Sequence, residues 1–192
     1  MAGYGFVPVQ HRQGALELCA FGTDAQRVGV GDPVTLAGSS ARIGAGPIRP
    51  TVVLSAASDS IYGVVVGIQQ HTVATGMNLN QIYRPASTAM YAMVYVPGEN
   101  DRFWVESDED SASFAATDVG LNADMATASS CDTGTGQSTC VLDISTKATT
   151  NTLAFKIIGY DENRGPSSTS PNPRLMVTFN QRSTIDTGGT GT

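Results

Sequence analysis

The sequence predicts an all-β protein, a single β-barrel or β-sandwich domain, on three observations. Short runs of β-branched and aromatic residues recur along the chain. Helical periodicity is nearly absent. Clusters of Gly, Pro, Asn and Asp separate the runs, as in "RIGAGPIRP", "VPGENDR" and "DENRGPSSTSPNP", drawn from 21 glycines and 9 prolines.

Taken in order, "VGDPVTLAG" (30–38) sets an Asp-Pro turn before Val34 and Leu36, which alternate with Thr35. "IYGVVVGI" (61–68) is a β-branched run broken by Gly63 and Gly67, glycines of the kind that mark a bulge or a barrel corner. "AMYAMVYV" (89–96) alternates Tyr91, Met93 and Tyr95 with Ala92, Val94 and Val96. "RFWVES", "CVLDIS", "TLAFKIIGY" and "RLMVTFNQ" complete the expected strands. Phe103, Trp104 or both are expected in a core with Val64, Val66, Leu153, Phe155 and Ile157. "ASFAATDVGLNADM" (112–125) reads as one short helical turn or a loop packed on that core. Both ends read as arms. The expected division is an N-terminal arm (1–24), a β-rich domain (25–182) and a short flexible tail (183–192).

A chain of 192 residues is long enough for one well-buried core. Its net charge is −6, yet only 15% of its residues are charged, so Ala, Ser, Thr and Gly dominate the expected surface. Such a weakly polar surface suits cover by neighbouring subunits. The scattered Lys and Arg argue against nucleic acid, which needs clustered cations. No run of apolar residues is long enough for a membrane helix, and "MAGYGFVPVQHRQG" lacks the pattern of a signal peptide. Synthesis in a cytoplasm is expected.

The stretch "CDTGTGQSTC" (131–140) holds the tripeptide that carries the catalytic carboxylate of aspartic proteases, and a second copy occurs at Asp186–Gly188. Such a dyad needs two carboxylates on rigid apolar strands. Neither tripeptide has that flank, so both read as loops. A metal site needs three or four clustered ligands; Cys131 and Cys140 lack them, and His11 and His71 are isolated. The acidic run "ESDEDS" (106–111) lacks the alternation of a calcium loop and reads as a solvated edge. The two histidines sit in Gln- and Arg-containing polar contexts with no G-x-S-x-G elbow, and Cys19 reads as a small buried apolar residue. No catalytic residue, cofactor or metal is expected. If the stretch turns back on itself, Cys131 and Cys140 become cross-strand neighbours at a hairpin base. They then close a disulfide, adding about 2 to 3 kcal/mol, or remain two buried thiols.

Several segments together resemble the capsid decoration (cement) proteins of tailed bacteriophages. They are "RVGVGDPVTLAG", "DSIYGVVVGI", "YRPAS…MYAMVYVPGENDRFWVESDED", "ATDVGLNADM", "VLDISTKATTNTLAFKIIGYDEN" and "NPRLMVTFNQ", and they span most of residues 27–181. The resemblance implies a non-enzymatic structural virion protein on the outer surface of a phage head. Its implied partners are the major capsid protein and further copies of itself, a homotrimer being favoured. The cysteine-bearing loop departs from the family pattern in a way that fits an added covalent staple, oxidised in the mature particle. In the N-terminal arm, Tyr4, Phe6, Val7 and Val9 are the expected capsid anchors. The competing reading is a phage fibre, receptor-binding or carbohydrate-binding β-protein.

Overall fold

The computed structural model describes residues 4–9, 13–23, 26–57, 59–69, 71–72, 76–77, 80–108, 114–126, 131–161, 163 and 172–180. Among them there is no α-helix, and the architecture is all-β. The strands are β1 (Val7–Pro8), β2 (Ala15–Phe21), β3 (Pro33–Arg42), β4 (Ile48–Leu54), β5 (Gly63–Ile68), β6 (His71–Thr72), β7 (Gly76–Met77), β8 (Met90–Val96), β9 (Phe103–Glu106), β10 (Asn122–Met125), β11 (Leu142–Ala148), β12 (Phe155–Tyr160) and β13 (Arg174–Phe179).

Two β-layers share the work. Strands β2, β4, β3, β5 and β8 form a closed barrel, and β1, β9, β13, β12, β10 and β11 form a six-stranded sheet in that order. The sheet rolls far enough that the continuation of β9 meets β11. Ser107, just past β9, bridges Leu142 in parallel, and the Asp108 N–H donates to the Leu142 carbonyl at 2.9 Å. β6 and β7 form a separate two-stranded ribbon.

The period-two pattern read in β8 has a physical purpose on both faces. Ala92 and Val94 point into the barrel with Cys19, Phe21, Val34, Val52 and Val65. Tyr95 points the other way, into a second core with Phe6, Phe103, Phe155, Ile157, Val177 and Phe179. β5 splits in the same manner, since Val64 pairs with Tyr95 and Val65 with Val94. One strand pair therefore forms the wall between two cores.

Phe103, Phe155 and Ile157 are fully buried as expected. Trp104 stands on the opposite face of β9 and is only partly covered, and Leu153 lies just before β12, half-buried. The segment 112–125 divides differently from its sequence reading. Phe114 is buried, a 3₁₀ turn spans Ala116–Asp118, and Asn122–Met125 is a strand between β11 and β12. Asp118 caps that turn by accepting from the Ala115 N–H at 2.8 Å and from Lys147 Nζ at 2.7 Å.

The N-terminal arm is shorter than the sequence implies. Ala15–Phe21 pairs with β8 along its whole length and with β4 at Ala20 and Phe21, so it is a barrel stave. Glu17 hides the pattern in the sequence, because a charge stands where the alternation asks for an inward side chain. The fold satisfies it with the Tyr62 hydroxyl at 2.5 Å. Cys19 is fully buried, as expected, and burial pushes its thiol up to about 12. The tail from 183 onward lies outside the described residues. No helix among the described residues is long and apolar enough to cross a membrane.

Candidate functional site

The N-terminal segment lies along the sheet edge, at the junction with the barrel. The Phe6 N–H donates to the Gly31 carbonyl at 2.9 Å, the Val9 N–H donates to the Arg102 carbonyl at 2.8 Å, and Val7 pairs with Trp104. Gly5 adopts φ of 64°, and a Cβ there would lie 2.5 Å from the Ser138 Cβ, so only glycine brings the chain this close. Phe6 stacks on Phe155 with ring centroids 4.6 Å apart and meets Phe179 edge-on.

This placement separates the four expected anchors. Phe6 is 1% exposed and belongs to the second core, so it holds the arm to its own domain and presents nothing outward. Tyr4 and Val7 are exposed, and Val9 is partly buried. The sequence pattern of an apolar arm did not distinguish a plug from an anchor, because both use the same residue types.

Beside the arm opens a cleft of about 350 Å³ lined by Tyr4, Val7, Val66, Trp104, Glu106 and Arg174, among others. The Arg174 guanidinium sits 5.2 Å from the centre of the Trp104 ring. Glu106, read as part of a solvated acidic run, is buried as the last residue of β9 and pairs in register with Arg174. Ser107 is also buried, while 109–111 lie outside the described residues.

Behind the cleft stands Asp32, 2% exposed, whose place before Pro33 predicts a turn. Its carboxylate accepts from the Gly29 N–H at 2.7 Å and from the Ser138 hydroxyl. Ser138 in turn accepts from the Cys140 N–H at 2.9 Å. Around it, Val30 bridges Gln137, the Gly31 N–H donates to Val65 at 2.7 Å, and Gly31 receives Phe6. Asp32 thus joins the arm, the barrel and the 131–140 loop. Burial raises its pKa to about 6 against the opposing pull of its two hydrogen bonds. Its one sequence signal was its place beside Pro33, which points to a turn and says nothing of burial.

The 131–140 loop corrects the disulfide expectation. Cys131 and Cys140 are both free thiols, both buried. The hairpin closes one residue inside Cys131, where the Asp132 N–H donates to the Gln137 carbonyl at 2.9 Å. That register sets Cys131 opposite Ser138, not opposite Cys140. Cys140 continues into the second core, its sulfur 3.8 Å from that of Met125. Burial raises both thiols, Cys131 to about 11, with the Asp32 charge adding to each shift. Asp132 serves the turn itself, accepting from the N–H groups of Gly134 at 2.7 Å and Thr135 at 3.1 Å. Its neighbourhood is a loop, as its polar flanks implied. The second tripeptide, Asp186–Gly188, and the His11 and His71 side chains lie outside the described residues.

Two further buried polar residues escaped sequence reading. Arg84 is fully buried, donating to the carbonyls of Gly22 at 2.5 Å, Thr88 at 2.7 Å and Gln26 at 2.8 Å, with Phe21 beneath it. Burial works to raise the Asp101 pKa, but donors outweigh it and hold the carboxyl below its usual range. These are the Tyr95 hydroxyl at 2.6 Å and the N–H groups of Gln13 at 2.6 Å and Gly98 at 2.7 Å. Both residues tie long connections to the cores. Among the described residues no group of three His, Cys, Asp or Glu side chains is arranged to hold a metal ion. No family model, curated protein or solved structure matches the chain.

Proposed function

We propose that this chain is a structural virion protein that binds the outer surface of a phage head, as an oligomer, and stabilises the shell without catalysis. The reading rests on the segments that resemble decoration proteins and on a weakly charged surface, from which several apolar side chains project. Leu16 is 63% exposed, Ile48 59% and Tyr4 53%, with Val7, Ile82, Met93 and Val119 also exposed. On a chain with 15% charged residues, such a surface suits contact on several sides by neighbouring subunits. The segments in which the sequence resembles decoration proteins coincide with β3, β5 and β8–β13, the framework of both cores. A carbohydrate platform finds less support, since Arg174 already covers one face of Trp104.

The reading is tested with heads that lack their decoration layer. The intact chain should bind them saturably and raise the temperature at which they release DNA. A chain carrying Tyr4→Ser and Val7→Ser should fold normally and bind at least about tenfold more weakly, given an anchor contribution above about 1.4 kcal/mol. Truncation is a poorer tool, because removal of residues 1–20 deletes most of β2 from the barrel. Binding to host cells or glycans, with none to heads, would transfer the protein to the fibre or lectin class.

A further inference from the structure

The β3–β4 ribbon extends beyond the barrel that it helps to close. β3 meets β5 only at Pro33 and Val34, and β4 meets β2 only at Thr51 and Val52. Beyond those pairs, among the described residues, the two strands are in ladder register only with each other, with Ser40 opposite Pro50, Ala41 opposite Arg49 and Arg42 opposite Ile48. A two-stranded ribbon without a core is weak by itself. This one is fastened at its turn. The Tyr91 hydroxyl, on a buried side chain of β8, accepts from the Ile43 N–H at 2.9 Å and donates to the Pro47 carbonyl. Ile43 packs with Tyr91 and Ala20 on the outside of the barrel.

What the fastened ribbon presents is chemically unlike the rest of the molecule. There is no acidic residue between Asp32 and Asp59, whereas the whole chain carries a net charge of −6. Arg42 and Arg49 are exposed, and Ile48 between them is 59% exposed. An open groove of about 550 Å³ runs past Leu36, Ser40, Ile48, Arg49 and Pro50. The strand edges are poor templates for pairing. A bulge lies between Leu36 and Ser40, Gly38 within it has φ of 69°, and Pro50 has no N–H to offer. Recognition must therefore run through side chains in the groove.

We propose that this ribbon is a preformed docking surface for an acidic protein segment that carries aliphatic side chains. The aliphatic group packs on Ile48 and Pro50, and carboxylates meet Arg42 and Arg49. The charge pattern selects the partner class. Two arginines flanking an apolar groove are too few for a phosphate backbone, which is bound by clustered cations. They are sufficient to steer and orient a carboxylate-bearing surface. Because the turn is already fixed by Tyr91, little ordering cost remains at binding. The ribbon tip, residues 39–50, lies outside every segment that resembles decoration proteins, and the Arg42 and Arg49 pair that selects the partner plays no part in the head-binding reading.

The test is a titration of isotope-labelled intact protein, followed by backbone amide shifts. The probe is a short soluble peptide bearing Glu and Leu, with Lys/Leu and Ser/Leu versions as controls. Saturable shifts confined to residues 36–50 are expected with the Glu/Leu peptide alone, weakening as salt is added. The R42E/R49E variant should lose about tenfold in affinity for it and gain the Lys/Leu peptide. Both substituted side chains are exposed, and an unchanged spectrum elsewhere will verify the fold. Equal response to all three peptides, or shifts outside the ribbon, would overturn the proposal. So would tighter binding of a heparin fragment than of the peptide. Shifts of the same residues on raising the protein concentration alone would replace the foreign partner with a second copy.

Discussion

The two cores of this protein are built on opposite plans. The barrel core is lined mainly by small and aliphatic side chains, Cys19, Val34, Val52, Val65, Ala92 and Val94, and its hydrogen-bond ladder closes on itself. The second core is aromatic, with Phe6 on Phe155, Phe103 on Phe179 at 4.7 Å, and Tyr95 beside Phe103. Among the described residues its sheet closes through contacts of Ser107 and Asp108 with β11, and a ring delivered by the N-terminal segment fills its interior. A closed ladder needs only enough volume to fill a narrow interior. An incompletely closed sheet needs large side chains to span the gap. The difference implies that the aromatic core carries more stability per residue and is more easily breached.

The largest expected effect follows from that asymmetry. Phe155→Ala should cost about 3 to 5 kcal/mol, against about 2 kcal/mol for Val94→Ala in the barrel. Urea unfolding of the two variants measures both. Equal costs, or a loss below about 1 kcal/mol for Phe155, would erase the distinction.

A second experiment probes the junction between the cores. The Asp32 pKa is about 6 in the folded chain, above the ordinary carboxyl value, so the native state holds the proton more tightly than the unfolded one. Its stabilising contribution is complete below the unfolded pKa and is lost as pH rises through about 6. By linkage the full swing is on the order of 3 kcal/mol. Stability should therefore increase as pH falls from about 7 to 5, and Asp32→Asn should flatten that part of the profile. The Asp101 and Asp118 carboxyls have lowered values and act in the reverse sense, losing their contribution only at more acid pH. A wild-type profile that falls steadily from pH 7 would contradict a carboxyl whose burial outweighs its two hydrogen bonds.

The smallest effect concerns the ribbon that leaves the barrel. Tyr91→Phe removes the hydroxyl that holds Ile43 and Pro47, and should cost about 1 kcal/mol. Amide exchange should quicken across 41–49 while the two cores stay protected. Global loosening instead would mean that Tyr91 supports the barrel itself.

The class of fold and much of the interior are legible in the amino-acid sequence alone. Alternation in 89–96, 152–160 and 174–181 marked strands that the structure contains, and Phe155, Ile157 and Phe103 were legible as core, because period two is imposed by the pleat of a single strand. Strands failed to show where a local signal argued against them: Glu17 inside β2, Pro50 inside β4, and Asn122 and Asp124 inside β10. Distant residues offset these signals: Tyr62 meets Glu17, Pro50 lies where β4 pairs with β3 alone, the Thr150 carbonyl accepts from the Asn122 amide, and the Thr146 hydroxyl accepts from the Asp124 N–H. Of the candidate site, the exposed Tyr4 and Val7 were legible, but the burial of Phe6 was not. Whether an apolar arm folds inward depends on a vacancy between Phe155 and Phe179, and only the closing of the sheet creates it. The same holds for Cys131 and Cys140, whose spacing allowed a hairpin but whose register was set by the Asp132–Gln137 turn. Asp32 shows the limit most clearly. Its neighbours in sequence make a turn, whereas its environment is made by Ser138, 106 residues further along the chain. Local patterns fix which way a side chain points along a strand; what it meets there is decided by long-range packing.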